Sequence, residues 1–306
     1  MSGLEFTGER FVPGVRGEIW IEHWHRYHFA ARCVAGKRVL DVACGEGYGT
    51  ALLARAASEV TGVDLSAAAI EHAKAVYAGS PNARFVCAPC TRLPLADASV
   101  DVAVSFETIE HIAEQAPFLD ELARVLAPDG VAILSCPNKV EYSDKRGYAN
   151  EFHVKELYRD ELAALVAARF AAIAWYGQKP TFFSVIAPDE EPAAGQLVEV
   201  DEDDPASGAR RLSNPLYFVL VASRSPAALA AVSPALSVMA DRGDWVHRDY
   251  EKVMKWMEQS LARAEALEKE LAARGEELAV LREEAAQRRG WSWWLKLPLI
   301  RLGLLK

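Results

Sequence analysis

Between residues 38 and 223 the chain alternates short apolar runs with amphipathic stretches, and this alternation limits the fold more than any single motif. "RVLDVAC" (38–44), "EVTGVDL" (59–65), "ARFVCA" (83–88), "VDVAVSF" (100–106) and "VAILSCP" (131–137) read as strands. Helical patterns fall between them, over 48–58, 66–79 and 116–130, and a further helix follows over 155–168. Ser66 is a good N-cap, and Gly79 a natural stop. Pro128 and Gly130 are expected to end the third helix. Strands alternating with helices imply βαβ units, hence a mainly parallel, doubly wound sheet covered on both faces. The last two strand signals, 170–177 and 215–223, have no long helix between them, so an antiparallel pair is expected there. "TFFSVIAP" (181–188) and the acidic run 189–204 lie between these two, and the acidic run is expected to project into solvent.

Beyond Ser223 the pattern changes. Residues 226–249 read as a linker, and one long helix runs from about Tyr250 to Arg289. A heptad register places Met257, Ala264, Leu271, Leu278 and Ala285 at one seam position and Val253, Ser260, Leu267, Arg274 and Leu281 at the other. Eight of these ten are apolar, which predicts a coiled coil and self-association into a homo-oligomer. Arg274 and Gly275 interrupt it. The expected division is an N-terminal lid or substrate segment (1–34), a catalytic domain (35–225), the linker (226–249), a coiled coil (250–289) and a short tail (290–306).

The 306 residues carry a net charge of −9, with no basic excess of the kind a nucleic-acid binder needs. The charge is uneven: residues 288–306 contain five Lys or Arg and no acid. The five cysteines are odd in number and mostly in apolar contexts, which fits a reducing cytoplasm better than a disulfide framework. The first residues lack the apolar core of a secretory signal, and no apolar run is long enough to span a bilayer. A cytoplasmic protein is expected, peripheral on the inner membrane if the tail binds lipid.

Residues 39–50, "VLDVACGEGYGT", put a glycine turn between the first strand and a helix. Backbone N–H groups at such a turn meet ligands in doubly wound folds. The dinucleotide spacing G-x-G-x-x-G fails here, because Thr50 takes the third place. Asp41 precedes the turn, and an acid there suits an ammonium group better than a pyrophosphate. Asp64 ends the next strand, where a carboxylate can take both ribose hydroxyls. A nucleoside with a zwitterionic tail fits this pattern, namely S-adenosylmethionine.

The series "VLDVACGEGYGT", "VTGVDLS", "RLPLADASVDVAVSFETIEHI" and "ELARVLAPDGVAILSCPN" resembles the class I S-adenosylmethionine-dependent methyltransferases over roughly residues 35–225. The resemblance implies a Rossmann-like, seven-stranded sheet with an antiparallel last strand. It implies that Asp41 and the loop Ala43, Cys44, Gly45, Gly47, Tyr48 and Gly49 face the methionine moiety. Asp64 would hold the ribose, with Leu65 beside the adenine and Cys90 and Thr91 at its rim. Ser105 and Phe106 would lie beneath the methyl-transfer site, and Arg26 and Tyr27 would meet the methionine carboxylate. The plainer reading of that N-terminal stretch is a surface helix burying Trp20, Trp24 and Phe29, and both readings can hold together. One departure concerns Ala88, Pro89 and Cys90, where many relatives have Gly-Asp-Ala. The adenine-side Asp is missing.

Methyl transfer from a sulfonium is chiefly a positioning problem, and an oxygen nucleophile also needs a base. Glu107, Glu110 and His111 follow the fourth strand. His111 is the first candidate base, with Glu107 and, further on, His153 as additional catalytic candidates; a structural His is the plainer alternative. The spacing E-x-x-E-H resembles a divalent-metal site of some quinone-biosynthesis O-methyltransferases and small-RNA methyltransferases. Hard ions want more oxygen ligands than this motif shows, so a metal is not the favoured reading. The pair Cys87 and Cys90 closes a strand instead of opening a helix, which argues against a redox role.

The tail "RRGWSWWLKLPLIRLGLLK" is cationic and aromatic, which suits the headgroup region of an anionic membrane. Docking on a protein is the plainer alternative. The N-terminal "TGERFVP", the coiled coil and this tail together resemble bacterial methyltransferases of surface-polysaccharide assembly. That resemblance implies O-methylation of a sugar hydroxyl on a lipid-linked glycan. The competing readings are a soluble O-methyltransferase for a quinone precursor or natural product, and a non-catalytic binding protein on the same fold.

Overall fold

The computed structural model describes residues 18–181, 199–200, 208–209, 212–232, 236–239, 243 and 245–305. Most of the expected acidic loop and the first half of the expected lid segment fall outside these residues. The chain divides into two units, 1–240 and 241–306.

The first unit opens with α1 (Glu18–Ala31), followed by β1 (Arg38–Val42), α2 (Tyr48–Leu53), β2 (Glu59–Asp64), α3 (Ala67–Val76) and β3 (Ala83–Cys87). It continues with β4 (Val100–Phe106), a single helical turn at Ile109–His111, α4 (Gln115–Val125) and β5 (Leu126–Pro137). A π-helical turn (Val140–Asp144), α5 (Arg159–Ala167), β6 (Ala172–Gln178), β7 (Tyr217–Ser223) and α6 (Pro226–Val232) complete it. A short antiparallel ribbon pairs Glu199–Val200 with Gly208–Ala209.

The seven strands run in the order β3-β2-β1-β4-β5-β7-β6. β1 to β5 pair in parallel, while β7 lies antiparallel between β5 and β6. The expected doubly wound sheet with an antiparallel last strand is therefore present. Each central strand is apolar at nearly every position because both of its faces are covered. On β1, Val39 packs with Val60, Val102, Val104 and Val221, while its neighbour Leu40 packs with Phe118, Leu122, Val166 and Leu220 on the other face.

The four helices expected between the strands are all shorter than the sequence suggests, α3 ending at Val76. α2 stops at Leu53, because the Asn82 amide donates to the carbonyls of Ala54 and Ala57 and holds the chain in tight turns. α4 stops at Val125, since Leu126 already pairs with Val100 at the start of β5. α5 starts only at Arg159, where Tyr158 is the cap and its N–H donates to Glu161. The residues just before it are drawn elsewhere, as described below. Ser66 does cap α3, accepting from the Ala69 N–H at 3.3 Å.

The second unit contains α7 (Trp245–Arg289) and α8 (Trp291–Arg301). α7 is a single helix of 45 residues, and its apolar stripe is exposed along its length. No described helix is long and apolar enough to cross a membrane.

Candidate active site at the carboxyl ends of the strands

The strand order changes direction between β1 and β4, and ligands bind doubly wound sheets outside the carboxyl ends at such a point. The residues singled out from the sequence gather along that edge.

The glycine loop leaves β1 with three left-handed residues, Ala43 (φ 59°), Gly45 (φ 54°) and Gly47 (φ 84°). Gly47 has a second reason to be glycine, as a Cβ there would meet the Phe85 ring at 2.6 Å. Gly49 stands in helix α2 and serves packing: a Cβ would lie 2.0 Å from the Tyr27 ring of α1. Two of the three glycines are thus fixed by aromatic neighbours inside the protein.

Asp41 is wholly buried beneath this loop. Tyr27 Oη donates to it at 3.1 Å and Thr50 Oγ1 at 2.6 Å. Burial raises its pKa from the usual 3.8 to about 7, although both hydrogen bonds pull the other way. Asp41 and Tyr27, expected to face the methionine moiety and its carboxylate, are hydrogen-bonded to each other beneath the loop. The carboxylate ties α1 and α2 together through these two bonds. Tyr27 and Phe106 meet edge to face at 5.0 Å, and Tyr27 and Tyr48 at 5.2 Å, so α1 covers the loop with aromatic rings. Trp20 and Trp24 are partly buried and Phe29 is buried, as the surface-helix reading expected.

Asp64 behaves differently. It accepts from the Gly45 N–H at 2.9 Å and from the Ser66 N–H at 2.8 Å. A carboxylate has about four acceptor positions, so each oxygen retains capacity for a hydroxyl. Leu65, next in sequence, is 73% exposed and offers an apolar surface beside it. Cys44 is buried in a small cluster with Ile70 and Phe85. Cys90 packs half-buried against the main core, Thr91 is half-buried, and the exposed Cys87 directs its thiol to the Leu65 carbonyl at 3.3 Å.

On the acceptor side, Arg26 of α1 is 2% exposed. Its NH1 donates to Gln178 at 2.8 Å and lies 3.7 Å from Glu107, and its guanidinium sits 4.9 Å from the centre of the Tyr217 ring. Its Nε and NH2 are buried without hydrogen-bond partners among the described residues. Arg26 is accordingly a buried bridge between α1, β4 and β6, with two donors left over for a ligand. Beside it, Glu22 accepts from Tyr217 Oη at 2.8 Å, and burial raises its pKa to about 7. Glu22, Gln178 and Tyr217 were not legible as site residues, because each falls in a segment that reads as ordinary packing.

Glu107 adopts a left-handed conformation (φ 50°) directly after β4. A non-glycine residue there is strained, and such strain gathers at functional sites. Its carboxylate accepts from Ser135 Oγ at 2.6 Å. Ser105 and Phe106 are buried at the end of the same strand, and the Ser105 hydroxyl has no hydrogen-bond partner among the described residues.

Glu110 is 1% exposed, and neither carboxylate oxygen has a hydrogen-bond partner among the described residues. Burial, then the Glu107 charge, pushes its pKa well up. Its backbone carbonyl accepts from the N–H groups of Val154 and Lys155, at 2.8 and 3.0 Å. Those two bonds dock the segment before α5 onto the turn after β4, which is why α5 starts late. They bring His153 beside His111, ring centres 4.9 Å apart and edge to face. All three catalytic candidates, Glu107, His111 and His153, thus lie in one neighbourhood.

Comparison with known proteins agrees with this architecture. Residues 40–134 match the methyltransferase domain family. A probable S-adenosylmethionine-dependent methyltransferase of Mycolicibacterium smegmatis is 42% identical over 172 residues, 54% of this chain and 64% of the relative. One of Mycobacterium tuberculosis is 41% identical over 182 residues, 57% of this chain and 64% of the relative. The aligned region thus spans less than two thirds of these relatives. A ubiquinone biosynthesis O-methyltransferase of Psychrobacter arcticus is 35% identical over 111 residues, 35% of this chain and 43% of the relative. Among solved structures, a Pyrococcus horikoshii protein covers 72% of this chain and 99% of its own, with TM-score 0.51 and 18% identity, which concerns fold alone. The strand order gives the first unit a Rossmann-like, methyltransferase-type fold, and residues 40–134 within it match the methyltransferase domain family.

Proposed function

We propose that this chain transfers a methyl group from S-adenosylmethionine to a hydroxyl of a sugar on a membrane-held glycan. The observation that carries methyl transfer is Asp64, clamped by the Gly45 and Ser66 amides at the edge of β2 beside an exposed Leu65. A carboxylate so oriented suits a ribose diol, and the unpartnered Arg26 Nε and NH2 suit an anionic group. The cofactor would supply an electrophilic methyl on a sulfonium. The protein's own part is to hold the acceptor hydroxyl in line and accept its proton, and the neighbouring imidazoles of His111 and His153 support that reading. His111 Nδ1 lies 3.0 Å from the Phe152 carbonyl, which fixes Nδ1 as the donor and leaves Nε2 as the acceptor.

Calorimetry with S-adenosylmethionine tests the cofactor assignment. Asp64→Asn, which keeps the shape, should lower affinity by about 1–3 kcal/mol; unchanged affinity removes the assignment. His111→Ala should lower turnover by about 10²–10⁴-fold while leaving cofactor affinity nearly unchanged. Full cofactor binding with no transfer to any extract would favour the non-catalytic reading.

The membrane part of the proposal rests on α8. Trp291, Trp294 and Leu295 are exposed on a helix with Lys296 and Arg301 and no acid. Such a segment suits an anionic lipid surface, each basic residue contributing about 1 kcal/mol. Flotation of the full chain with anionic vesicles at low salt, compared with a chain ending at Gln287, tests it. If neither floats, α8 is a protein-docking element. The second reading, a soluble O-methyltransferase for a quinone-type acceptor, would then lead, supported by the ubiquinone-biosynthesis relatives.

A further inference from the structure

The segment that docks on the Glu110 carbonyl brings one more acid to the acceptor side. Glu156 Oε1 lies 2.6 Å from His153 Nδ1, and its Oε2 accepts from Ser143 Oγ at 2.6 Å. Both side chains of this acid–imidazole pair are buried. We propose that Glu156 is a positioning residue for proton transfer: it holds the His153 ring with its lone pair on Nε2 and stabilises the positive charge that ring gains from the acceptor. The proposal rests on the methyl-transfer reading and adds a residue to it, whereas the state of the ring is independent of that reading.

The tautomer is fixed from two sides. Asn150 Nδ2 lies 3.1 Å from His153 Nε2, and Asn150 Oδ1 accepts from the Phe152 N–H at 3.0 Å. The second bond sets which way the amide points. Its NH2 group can only donate, so Nε2 accepts and Nδ1 carries the proton toward Glu156. The amide thus donates where an acceptor hydroxyl would donate. Tyr142 stacks on the His153 ring at 5.5 Å, and Ser143, the next residue of the same π-helical turn, holds the far oxygen of Glu156. Such turns are frequent at functional sites.

His111 is held differently. Its Nδ1 faces the Phe152 carbonyl at 3.0 Å, which orients the ring and brings no charge. An oxygen of Glu110 and a nitrogen of His111 also lie within 4.8 Å of a His153 nitrogen. Burial, then the Glu107 charge, hold Glu110 toward its neutral form. Glu156 is therefore the carboxylate that a charge on His153 meets. An acid behind an imidazole orients it and stabilises the imidazolium without taking the proton itself. One proton moves, from the acceptor hydroxyl to Nε2, while the Nδ1 proton stays between the ring and Glu156.

The test begins with the ring, in the full chain without cofactor. Proton–nitrogen NMR of the histidine-labelled chain, with His153→Gln to assign the signal, should show Nδ1 protonated and Nε2 bare. The Nδ1 proton should lie far downfield, as a 2.6 Å bond to a carboxylate requires. Glu156→Gln, shown to be folded by thermal melting, should move that proton upfield. Turnover with radiolabelled S-adenosylmethionine and a lipid-linked glycan extract should fall by about 10²–10⁴-fold in Glu156→Gln, with cofactor affinity unchanged. Ser143→Ala should lose less, in the same direction. In a His153→Ala background Glu156→Gln should cost nothing further, because it acts through that ring; a merely structural Glu156 would cost the same in both backgrounds. The proposal is overturned if the His153 proton sits on Nε2, if Glu156→Gln leaves the downfield signal in place, or if the two losses add. A wild type that transfers nothing overturns the methyl-transfer reading and with it this use of the pair. A wild type that transfers, with Glu156→Gln equally active, overturns the proposal alone.

Discussion

Between β1 and β2, every carboxylate oxygen of Asp41 and Asp64 accepts a hydrogen bond, from Tyr27, Thr50, Gly45 and Ser66. Between β4 and β5, neither oxygen of Glu110 does among the described residues. One end of the sheet's edge has its acids oriented by hydrogen bonds, while the other holds a buried acid, two imidazoles and a strained Glu107. The contrast separates two kinds of polar burial. Hydrogen-bonded acids such as Asp64 are held oriented for a ligand to meet, whereas an unsatisfied buried acid is where a ligand has most to add. Two adjacent residues of α1 join the two sides: Arg26 reaches Glu107, and Tyr27 reaches Asp41.

Breaking that junction on the acceptor side should have the largest effect on stability. Arg26→Met leaves Glu107 and Glu22 facing each other without their buried cation. Removing one partner of such a pair costs about 3–5 kcal/mol, measurable by urea denaturation. A loss under about 1 kcal/mol would mean that the bridge contributes little to the fold.

Asp41 sharpens the other side through pH. Its pKa rises from 3.8 to about 7 on folding, and at about 1.4 kcal/mol per pH unit the 3.2-unit difference amounts to roughly 4 kcal/mol. The folded state prefers the protonated acid. Stability from this group is therefore fully present below pH 3.8 and is lost as pH rises toward about 7. Glu22, raised to about 7, acts in the same direction. Melting temperatures between pH 5 and 8 should fall for wild type and fall less steeply for Asp41→Asn. Equal slopes would show that Asp41 stays ionised through its two hydrogen bonds.

The cofactor side was largely readable because its partners are close in sequence. Asp41 and Thr50 are nine residues apart, and the Gly45–Asp64 clamp spans one βα unit. The strands were readable because burial on both faces makes them continuous apolar runs, while helix ends were misread where a distant group intervened, as Asn82 does at α2. The acceptor side is assembled from farther away. His153 joins His111 only through the docking of residues 152–155 onto the carbonyl of Glu110 and the ring of His111. Backbone bonds of that kind leave no pattern in the side-chain sequence. Tyr217 and Glu22, joined side chain to side chain across 195 residues, were hidden by that separation.

Gly49 offers a smaller effect with a sharper signature. Alanine is the better helix former, yet a Cβ at Gly49 would lie 2.0 Å from the Tyr27 ring. Overpacking of this kind costs about 1–3 kcal/mol. If Tyr27 is the cause, Gly49→Ala should cost nothing, or even stabilise, in a Tyr27→Ala background. A double-mutant cycle measures that coupling directly, and additive effects would mean that Gly49 is required by the bound cofactor instead.

The smallest effect on folding is expected in the second unit, whose surfaces contrast with both sides of the site. α7 is about 67 Å long at 1.5 Å per residue, and its heptad positions Val253, Leu267, Leu271 and Leu278 are all exposed. An exposed apolar position contributes little to the stability of a lone helix, so Leu271→Lys should change the melting of the first unit by less than about 0.5 kcal/mol. The same charge at a coiled-coil seam would be buried against its copy in the partner and oppose association. Sedimentation equilibrium should accordingly show an oligomer for wild type and a monomer for Leu271→Lys, with cofactor affinity equal in both. Anionic vesicles should then bind the variant more weakly, because two joined copies of α8 hold a surface far more firmly than one. A wild-type chain that sediments as a monomer at micromolar concentration would remove the coiled coil, and α8 would have to hold any membrane one copy at a time.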